Sequence, residues 1–332
     1  MQNTTYNALI VSETDKNTYS MKIQSRDIAE LPKGDLLIRV HYTSLNYKDA
    51  LSASGNRGVT KHYPHVPGID AAGIVEESSS PVFNKGDQVI ASGFDIGMNT
   101  SGGFGQFIRI PAEWAILCPQ NLTLRESMIY GTAGFTAAQS VKRLVDFPVP
   151  PENGKILVTG ATGGVGSVAI VLLKHLGYKV SAVSGKPEAE NYLTQLGAAE
   201  IITRQQAADS SGKFLLKEKW AGVIDTVGGE ILASAIKSTI YGGAVTCCGN
   251  AASPELSLTV YPFILRGVSL LGIDSAKCPI HIREKIWQKL AGEWRLENLE
   301  SLVTECKLPE LPGFIDRMLQ GRQKGRVIVN LL

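Results

Sequence analysis

Strong charge of one sign, long apolar runs and paired cysteines are all missing from this 332-residue sequence. Lys and Arg exceed Asp and Glu by only 33 to 31, so there is no electrostatic case for a nucleic-acid or membrane-surface partner. No uninterrupted apolar stretch reaches the length of a membrane span. The start, Met1-Gln2-Asn3-Thr4-Thr5, has neither the basic segment nor the apolar core of a secretion signal, so a cytoplasmic protein is expected. The five cysteines, Cys118, Cys247, Cys248, Cys278 and Cys306, are scattered, odd in number and without C-x-x-C spacing, which argues against a disulfide framework or a zinc ribbon. The vicinal pair Cys247-Cys248 lies in the apolar run Ala244 to Gly249 and reads as small buried hydrophobes of a strand rather than redox partners.

What is present is an ordinary globular composition, 44% hydrophobic and 19% charged, in a chain too long for one core and therefore expected to hold two domains. Up to about residue 120 the sequence is strand-rich. Tyr6 to Val11, Leu36 to Tyr42, Ala71 to Val75, Gln88 to Ala91 and Gly105 to Ile110 are short runs separated by Gly- and Asp-containing turns, which predicts a compact β-barrel. Arg125 to Tyr130 and Phe135 to Leu144 read as helices, and Phe147 to Gly154 as a proline-stiffened loop. From Lys155 onward strand and helix alternate. The strands are Ile156–Thr159, Lys179–Val183, Glu200–Ile202, Gly222–Asp225, Ala244–Cys248 and Val268–Gly272, and the helices between them include Val165–Leu176, Ala189–Leu196 and Ile231–Ser238. That alternation predicts an α/β doubly wound parallel sheet. Ile282 to Glu293 reads as an amphipathic helix followed by Leu299 to Lys307, then a helix over Phe314 to Leu319 and a closing strand at Gly325 to Val329.

The most informative stretch is Gly160-Ala161-Thr162-Gly163-Gly164-Val165-Gly166, where four of seven residues are glycine between a strand and a helix. A helix N-terminus following such a turn offers free N–H groups and the positive end of its dipole, which suits a pyrophosphate. The dinucleotide frame G-x-G-x-x-G occurs here as Ala161-x-Gly163-x-x-Gly166, with alanine in the first place. Glycine clusters also make ordinary tight turns, but the βα alternation around this one favours a dinucleotide.

The end of the next strand distinguishes the two nicotinamide cofactors. Enzymes that use NAD place a carboxylate there, whereas this chain has Ser184-Gly185-Lys186, with Arg204 after the following strand. A hydroxyl, an ammonium and a guanidinium favour a 2′-phosphate, so NADPH is expected. The alternative is that Lys186 and Arg204 are solvated loop charges.

The strand-rich first half joined to this Rossmann unit resembles the medium-chain dehydrogenase/reductase superfamily over essentially the whole chain. Ser44-Leu45-Asn46-Tyr47-Lys48-Asp49, Pro67-Gly68-Ile69-Asp70, Gly131-Thr132-Ala133-Gly134-Phe135-Thr136-Ala137 and Ile224-Asp225-Thr226-Val227-Gly228 resemble its quinone-reductase and enoyl-reductase branch. The first of these taken with Ala182-Val183-Ser184-Gly185-Lys186, Trp220-Ala221-Gly222 and Pro262-Phe263-Ile264-Leu265-Arg266-Gly267 is similar to the acrylyl-CoA reductase group, which reduces acrylyl-CoA to propionyl-CoA with NADPH. The resemblance implies a GroES-like β-barrel catalytic domain over 1–124, completed by 297–332, and a Rossmann NADPH-binding domain over 125–296.

Zinc-dependent members of that superfamily carry a cysteine where Asn46 stands and a His-Glu pair where this chain has Ile69-Asp70. The four cysteines of their second zinc site have no counterpart around residues 90–115. His41, His62 and His65 lack a thiolate partner and read as structural or surface residues, with a lesser reading in which His65 lines the cleft, so no metal is expected.

The implied reaction is then conjugate addition of hydride to the β-carbon of an activated alkene, with the resulting negative charge on a carbonyl oxygen and a proton delivered to the α-carbon. Asn46 and Tyr47 are the implied catalytic side chains, with Tyr47 also meeting the cofactor; it either donates a proton, orients the nicotinamide or only packs a hinge. Further implied cofactor contacts are Thr162, Gly163, Gly164, Val165, Ser184, Gly185, Lys186, Arg204, Asn250, Ile264 and Ser275. Asp225 either faces the ligand crevice or caps a turn. The substrate implied is a small molecule, a CoA thioester, with Arg57, Lys61 and Arg322 as candidate phosphate contacts or merely solvated cations. Val268 to Gly272 resembles the edge strand through which this superfamily forms dimers, so a homodimer is expected. A quinone or general enone reductase is the alternative activity, and a nucleotide-binding protein without activity is a third reading.

Overall fold

The computed structural model describes residues 5–147 and 149–332. Residues 1–4, which carry most of the N-terminal reading, and Pro148 of the expected Phe147–Gly154 loop lie outside the described residues. The first strands are β1 (Thr5–Asp15), β2 (Thr18–Asp27) and β3 (Leu36–Leu45), followed by helix α1 (Tyr47–Ala53). Then come β4 (Asp70–Ser78), β5 (Gln88–Ser92), β6 (Phe107–Ile110), β7 (Ala115–Leu117) and the kinked α2 (Leu124–Asp146). The alternating part holds β8 (Lys155–Val158), α3 (Gly164–His175), β9 (Val180–Ser184), α4 (Glu190–Leu196), β10 (Glu200–Thr203) and α5 (Arg204–Ala207). It continues with β11 (Trp220–Asp225), α6 (Gly229–Lys237), β12 (Thr239–Cys247), α7 (Tyr261–Arg266) and β13 (Ser269–Gly272). The last elements are α8 (Ile280–Ala291), β14 (Val303–Lys307), α9 (Leu311–Leu319) and β15 (Arg326–Asn330).

These elements form two units, one of Met1–Thr132, Ala276–Gly292 and Leu302–Leu332, the other of Ala133–Ser275 and Glu293–Ser301. The division differs from the expected boundaries in that 125–132 and 276–292 join the first unit and 297–301 the second. The reasons are local: Phe94 N–H donates to Ala276 O at 2.8 Å, Arg283 donates to Ser92 Oγ at 2.8 Å, and the Trp287 ring meets Tyr130 edge-on.

In the first unit seven strands make a sheet in the order β14-β15-β3-β4-β5-β7, with β6 also pairing to β3, beside the β1–β2 hairpin. Apolar residues of β1, β3, β6 and β15, among them Leu9, Leu36, Ile38, Ile108 and Val327, close on one core. Several features were not visible as patterns in the sequence. The strongly polar β2 is a strand because β1 supplies its ladder over the full hairpin, and the segment from Tyr47 is a helix rather than a loop. Leu299–Lys307 divides into a 3-10 turn and strand β14, which β15 pairs in parallel.

In the second unit six strands, all parallel, run β10-β9-β8-β11-β12-β13. Both faces of such a sheet are covered, and its central strands are accordingly buried throughout, as in Trp220–Asp225. The strand order reverses between β8 and β11, the switch point at which open α/β sheets bind ligands beyond the carboxyl ends of the strands. The edge strand β13 leaves Leu270 partly exposed. Among the described residues no helix is long and apolar enough to cross a membrane.

Candidate active site

The glycine turn leaves the carboxyl end of β8 at that switch point. Gly160 has φ +58°, and a Cβ there would lie 2.1 Å from Thr226 Oγ1. Gly166 is needed for a different reason, since a Cβ on it would lie 2.5 Å from Gly160 O, so only glycine lets α3 close onto the turn. Ala161, in the place of the first glycine of the frame, is fully buried, with its N–H donating to Val183 O at 3.3 Å. The first turn of α3 has no side-chain cap, and the N–H groups of Gly164, Val165 and Gly166 lie ahead of the helical ladder. With Thr162 and Gly163 before them, these are the groups that would hold a pyrophosphate.

Asp225 is wholly buried behind this turn, and its two oxygens are both engaged: Thr159 Oγ1 donates to one at 2.7 Å and Gly228 N–H to the other at 2.8 Å. Burial raises its pKa. Of the two readings open for Asp225, the geometry supports the capping one. It ties the ends of β8 and β11 together, with Thr226 N–H on Thr159 Oγ1 at 2.9 Å completing the clamp.

At the end of β9, Ser184 Oγ accepts from Lys186 N–H at 3.1 Å and fixes a tight turn. Arg204, at the start of α5, folds back over Gly185 so closely that a Cβ on Gly185 would lie 2.6 Å from its Nε. Among the described residues Arg204 has no carboxylate partner. A hydroxyl, an ammonium-bearing residue and an unpaired guanidinium thus gather around one turn, a donor set that fits a dianionic phosphate. Asn250 and Ser275 follow the parallel strands β12 and β13 at the same end of the sheet, where Ile273 N–H donates to Cys247 O at 3.0 Å. Ile264 lies on α7 and is 67% exposed.

The first unit holds a second constellation, centred on the loop from β3 to α1. Asp70 Oδ2 accepts from Ser44 Oγ at 2.5 Å, from Asn46 Nδ2 at 2.8 Å and from Thr132 N–H at 2.8 Å, while Oδ1 accepts from Thr132 Oγ1 at 2.6 Å. Arg326 donates to Ser44 Oγ at 2.8 Å, to Asn46 Oδ1 at 3.3 Å and to Ile129 O at 2.9 Å. Asp49 accepts from the N–H groups of Asn46 and Ile69, each at 2.8 Å. Asp49 and Asp70 are both fully buried with a single guanidinium between them, and burial together with the Asp70 charge pushes Asp49 up to about 7. Burial lowers the Arg326 pKa.

Gly131 makes room for this cluster. It breaks α2 at φ +50°, and a Cβ there would lie 2.4–2.7 Å from Ser44 Oγ, Arg326 Nη2 and Asp70 Oδ2. Asn46, one of the two expected catalytic side chains, has its amide nitrogen and carbonyl oxygen hydrogen-bonded within this cluster. Tyr47, the first residue of α1, remains 52% exposed. Ser44, Asp49, Thr132 and Arg326 were not singled out from sequence. The first three stand inside motifs quoted above, and Arg326 is a charge opening the apolar run Val327-Ile328-Val329, a signal in itself.

Two family descriptions match the chain, the alcohol dehydrogenase GroES-like domain at residues 32–120 and the zinc-binding dehydrogenase at residues 164–291. Acrylyl-CoA reductase AcuI of Ruegeria pomeroyi is 42% identical over 98% of this chain and 99% of its own. The chain belongs to the medium-chain dehydrogenase/reductase family. Its first unit is the GroES-like part and its second the Rossmann-like part. The yhdH oxidoreductase of Salmonella enterica, solved with NADP, matches this chain with a TM-score of 0.95 at 40% identity over 98% of this chain and all of the other. The yhfP protein of Bacillus subtilis, solved with NAD, matches at a TM-score of 0.95 and 44% identity over 99% of this chain and all of the other.

A zinc ion, which the second description implies, does not fit the residues of this chain. Asp70 has both oxygens occupied by four donors and interacts electrostatically with the Arg326 guanidinium. A cation placed there would displace those donors and face a buried positive charge. Among the described residues no three His, Cys, Asp or Glu converge elsewhere. His65 is buried, with its Nε2 unpaired and its pKa lowered by burial. Of the candidate phosphate contacts, Arg57 is committed to Glu13 at 2.5 Å and stacks over Tyr63.

Proposed function

We propose that this reductase uses NADPH to reduce the activated C=C bond of an acrylyl-CoA-type thioester, giving the saturated acyl-CoA. The observation that carries the cofactor half is Arg204 lying over the Ser184–Lys186 turn with no carboxylate partner among the described residues, a setting that favours a 2′-phosphate over a ribose hydroxyl. The substrate half is supported by the 42% likeness to acrylyl-CoA reductase AcuI.

When bound, NADPH supplies the hydride for the β-carbon of the alkene, and a proton completes the α-carbon. The uncapped first turn of α3 holds the pyrophosphate, and Ser184, Lys186 and Arg204 hold the 2′-phosphate. Asn250 and Ser275, at the carboxyl ends of the central strands, take the nicotinamide side, with Ile264 as a further contact. Tyr47 orients the reacting groups, held in place by Asn46 through the buried Asp49–Asp70–Arg326 cluster. The catalytic assembly is a homodimer formed along β13, the edge strand of its sheet, where Leu270 is exposed.

The second reading is a quinone or general enone reductase with the same hydride chemistry. It is favoured by the 44% likeness, over 96% of this chain, to YhfP of Bacillus subtilis, whose name marks it as a candidate quinone oxidoreductase. Steady-state NADPH oxidation with acrylyl-CoA, crotonyl-CoA and simple quinones separates the two. A kcat/KM on acrylyl-CoA no higher than on the quinones would overturn the first reading.

A further inference from the structure

We propose that Gly185 is a specificity-determining residue, whose missing side chain lets Arg204 lie across the Ser184–Lys186 turn and so creates the preference for a 2′-phosphorylated cofactor. This rests on the NADPH reading given above and goes a step beyond it, from the residues that touch the phosphate to the one that positions them.

The argument is geometric. A Cβ added to Gly185 would lie 2.6 Å from Arg204 Nε, 2.9 Å from Cδ and 2.9 Å from Cζ. No real Cβ tolerates such contacts, so the three innermost atoms of the guanidinium arm occupy the volume that any other residue at 185 would fill. Gly185 has no positive φ. Glycine is therefore not demanded by the backbone, and its function at this position is space for Arg204. The opposing atoms belong to a flexible, exposed side chain rather than to backbone, so a methyl group at 185 is accommodated by swinging Arg204 away.

The rest of the turn is already held. Ser184 is buried and bonded to Lys186 N–H, and Thr203 Oγ1 caps α5 by accepting from Gln206 N–H at 3.2 Å. Arg204 is thus anchored at its Cα and steered at its guanidinium only by the open face of Gly185. A planar guanidinium given room to lie across this turn can turn its fork toward a phosphate bound there, which one pushed away by a side chain at 185 cannot.

The test compares binding of 2′,5′-ADP with that of 5′-AMP by calorimetry in the native chain, Gly185→Ala, Arg204→Ala and the double variant. The expected result is that native protein prefers 2′,5′-ADP, that Gly185→Ala loses about tenfold of that preference, the loss of one charge-assisted hydrogen bond, and that the double variant is no worse than Arg204→Ala alone. A thermal midpoint for Gly185→Ala close to native accompanies that result, since only an exposed arm moves. If the native preference survives in Gly185→Ala, or if the two losses add fully, the positioning role of Gly185 is overturned. If the native chain binds the two nucleotides equally, the NADPH reading itself fails.

Discussion

The side-chain amide of Asn46 donates to Asp70 Oδ2 at 2.8 Å, so the residue next to Tyr47 is held from behind by a buried carboxylate. The same carboxylate receives Ser44 and Thr132 and lies against Arg326, so the N-terminus of α1 is attached to β3, β4, α2 and β15 at one point. Tyr47 owes its fixed starting position to that point.

Removing the cation from this cluster leaves two buried carboxylates without compensation. Arg326→Met is expected to lower the unfolding free energy by about 3–5 kcal/mol, as for other broken buried ion pairs. Urea denaturation followed by circular dichroism checks this, and a loss below about 1 kcal/mol would show that the cluster contributes little to stability.

Asp49 gives the stability a pH dependence whose sign follows from its raised pKa. Its carboxyl titrates near 3.8 when unfolded and at about 7 when folded. Between those values the folded state keeps a proton that the unfolded state has released, so stability falls as pH rises and levels off above about 7, with a slope of up to about 1.4 kcal/mol per unit. Asp49→Asn removes this contribution. Denaturation of native and variant at about pH 5 and about pH 7 should show the native protein losing more stability between the two than the variant does.

Gly166→Ala and Gly131→Ala probe two places where glycine is required by close approach. At Gly166 the opposing atoms are backbone of Gly160 and Ala161, so α3 must shift and the affinity for both NADPH and NADH should fall together. At Gly131 the added methyl also meets an unfavourable φ, and a loss of roughly 2–4 kcal/mol in stability is expected. Cofactor titration for the first and thermal unfolding for the second decide the matter.

Lys186→Glu places a carboxylate where the 2′-phosphate is proposed to sit. The KM for NADPH should rise by about 10- to 100-fold, and that for NADH far less. Equal changes for the two cofactors would remove Lys186 from the phosphate site.

Tyr47→Ala should lower kcat/KM by about 10- to 100-fold through lost positioning, while Tyr47→Phe, which keeps the ring, should retain most of it. A Phe variant as impaired as the Ala variant would instead make the hydroxyl the working group.

Much of the second unit was legible beforehand because its signals are local. Apolar runs of strand length, helices between them and a glycine-rich turn are set by neighbours in sequence, and the parallel sheet with its switch point follows from their alternation. The Ser184–Lys186 turn was legible for the same reason. What the sequence by itself determined is therefore the fold class, the glycine-rich turn after β8 and the charge set at the end of β9. Only the tertiary structure decided the roles of Asp49, Asp70, Thr132 and Arg326, because they bond to residues up to 282 positions away and are brought together as β4 and β15 pair with β3. It also turned Asn46 inward, where its donors find a buried carboxylate, and made Gly185 the seat of Arg204, a relation between residues 19 apart that no spacing rule encodes. Local propensity acts over a few residues, whereas burial of a charge is settled by everything that packs around it.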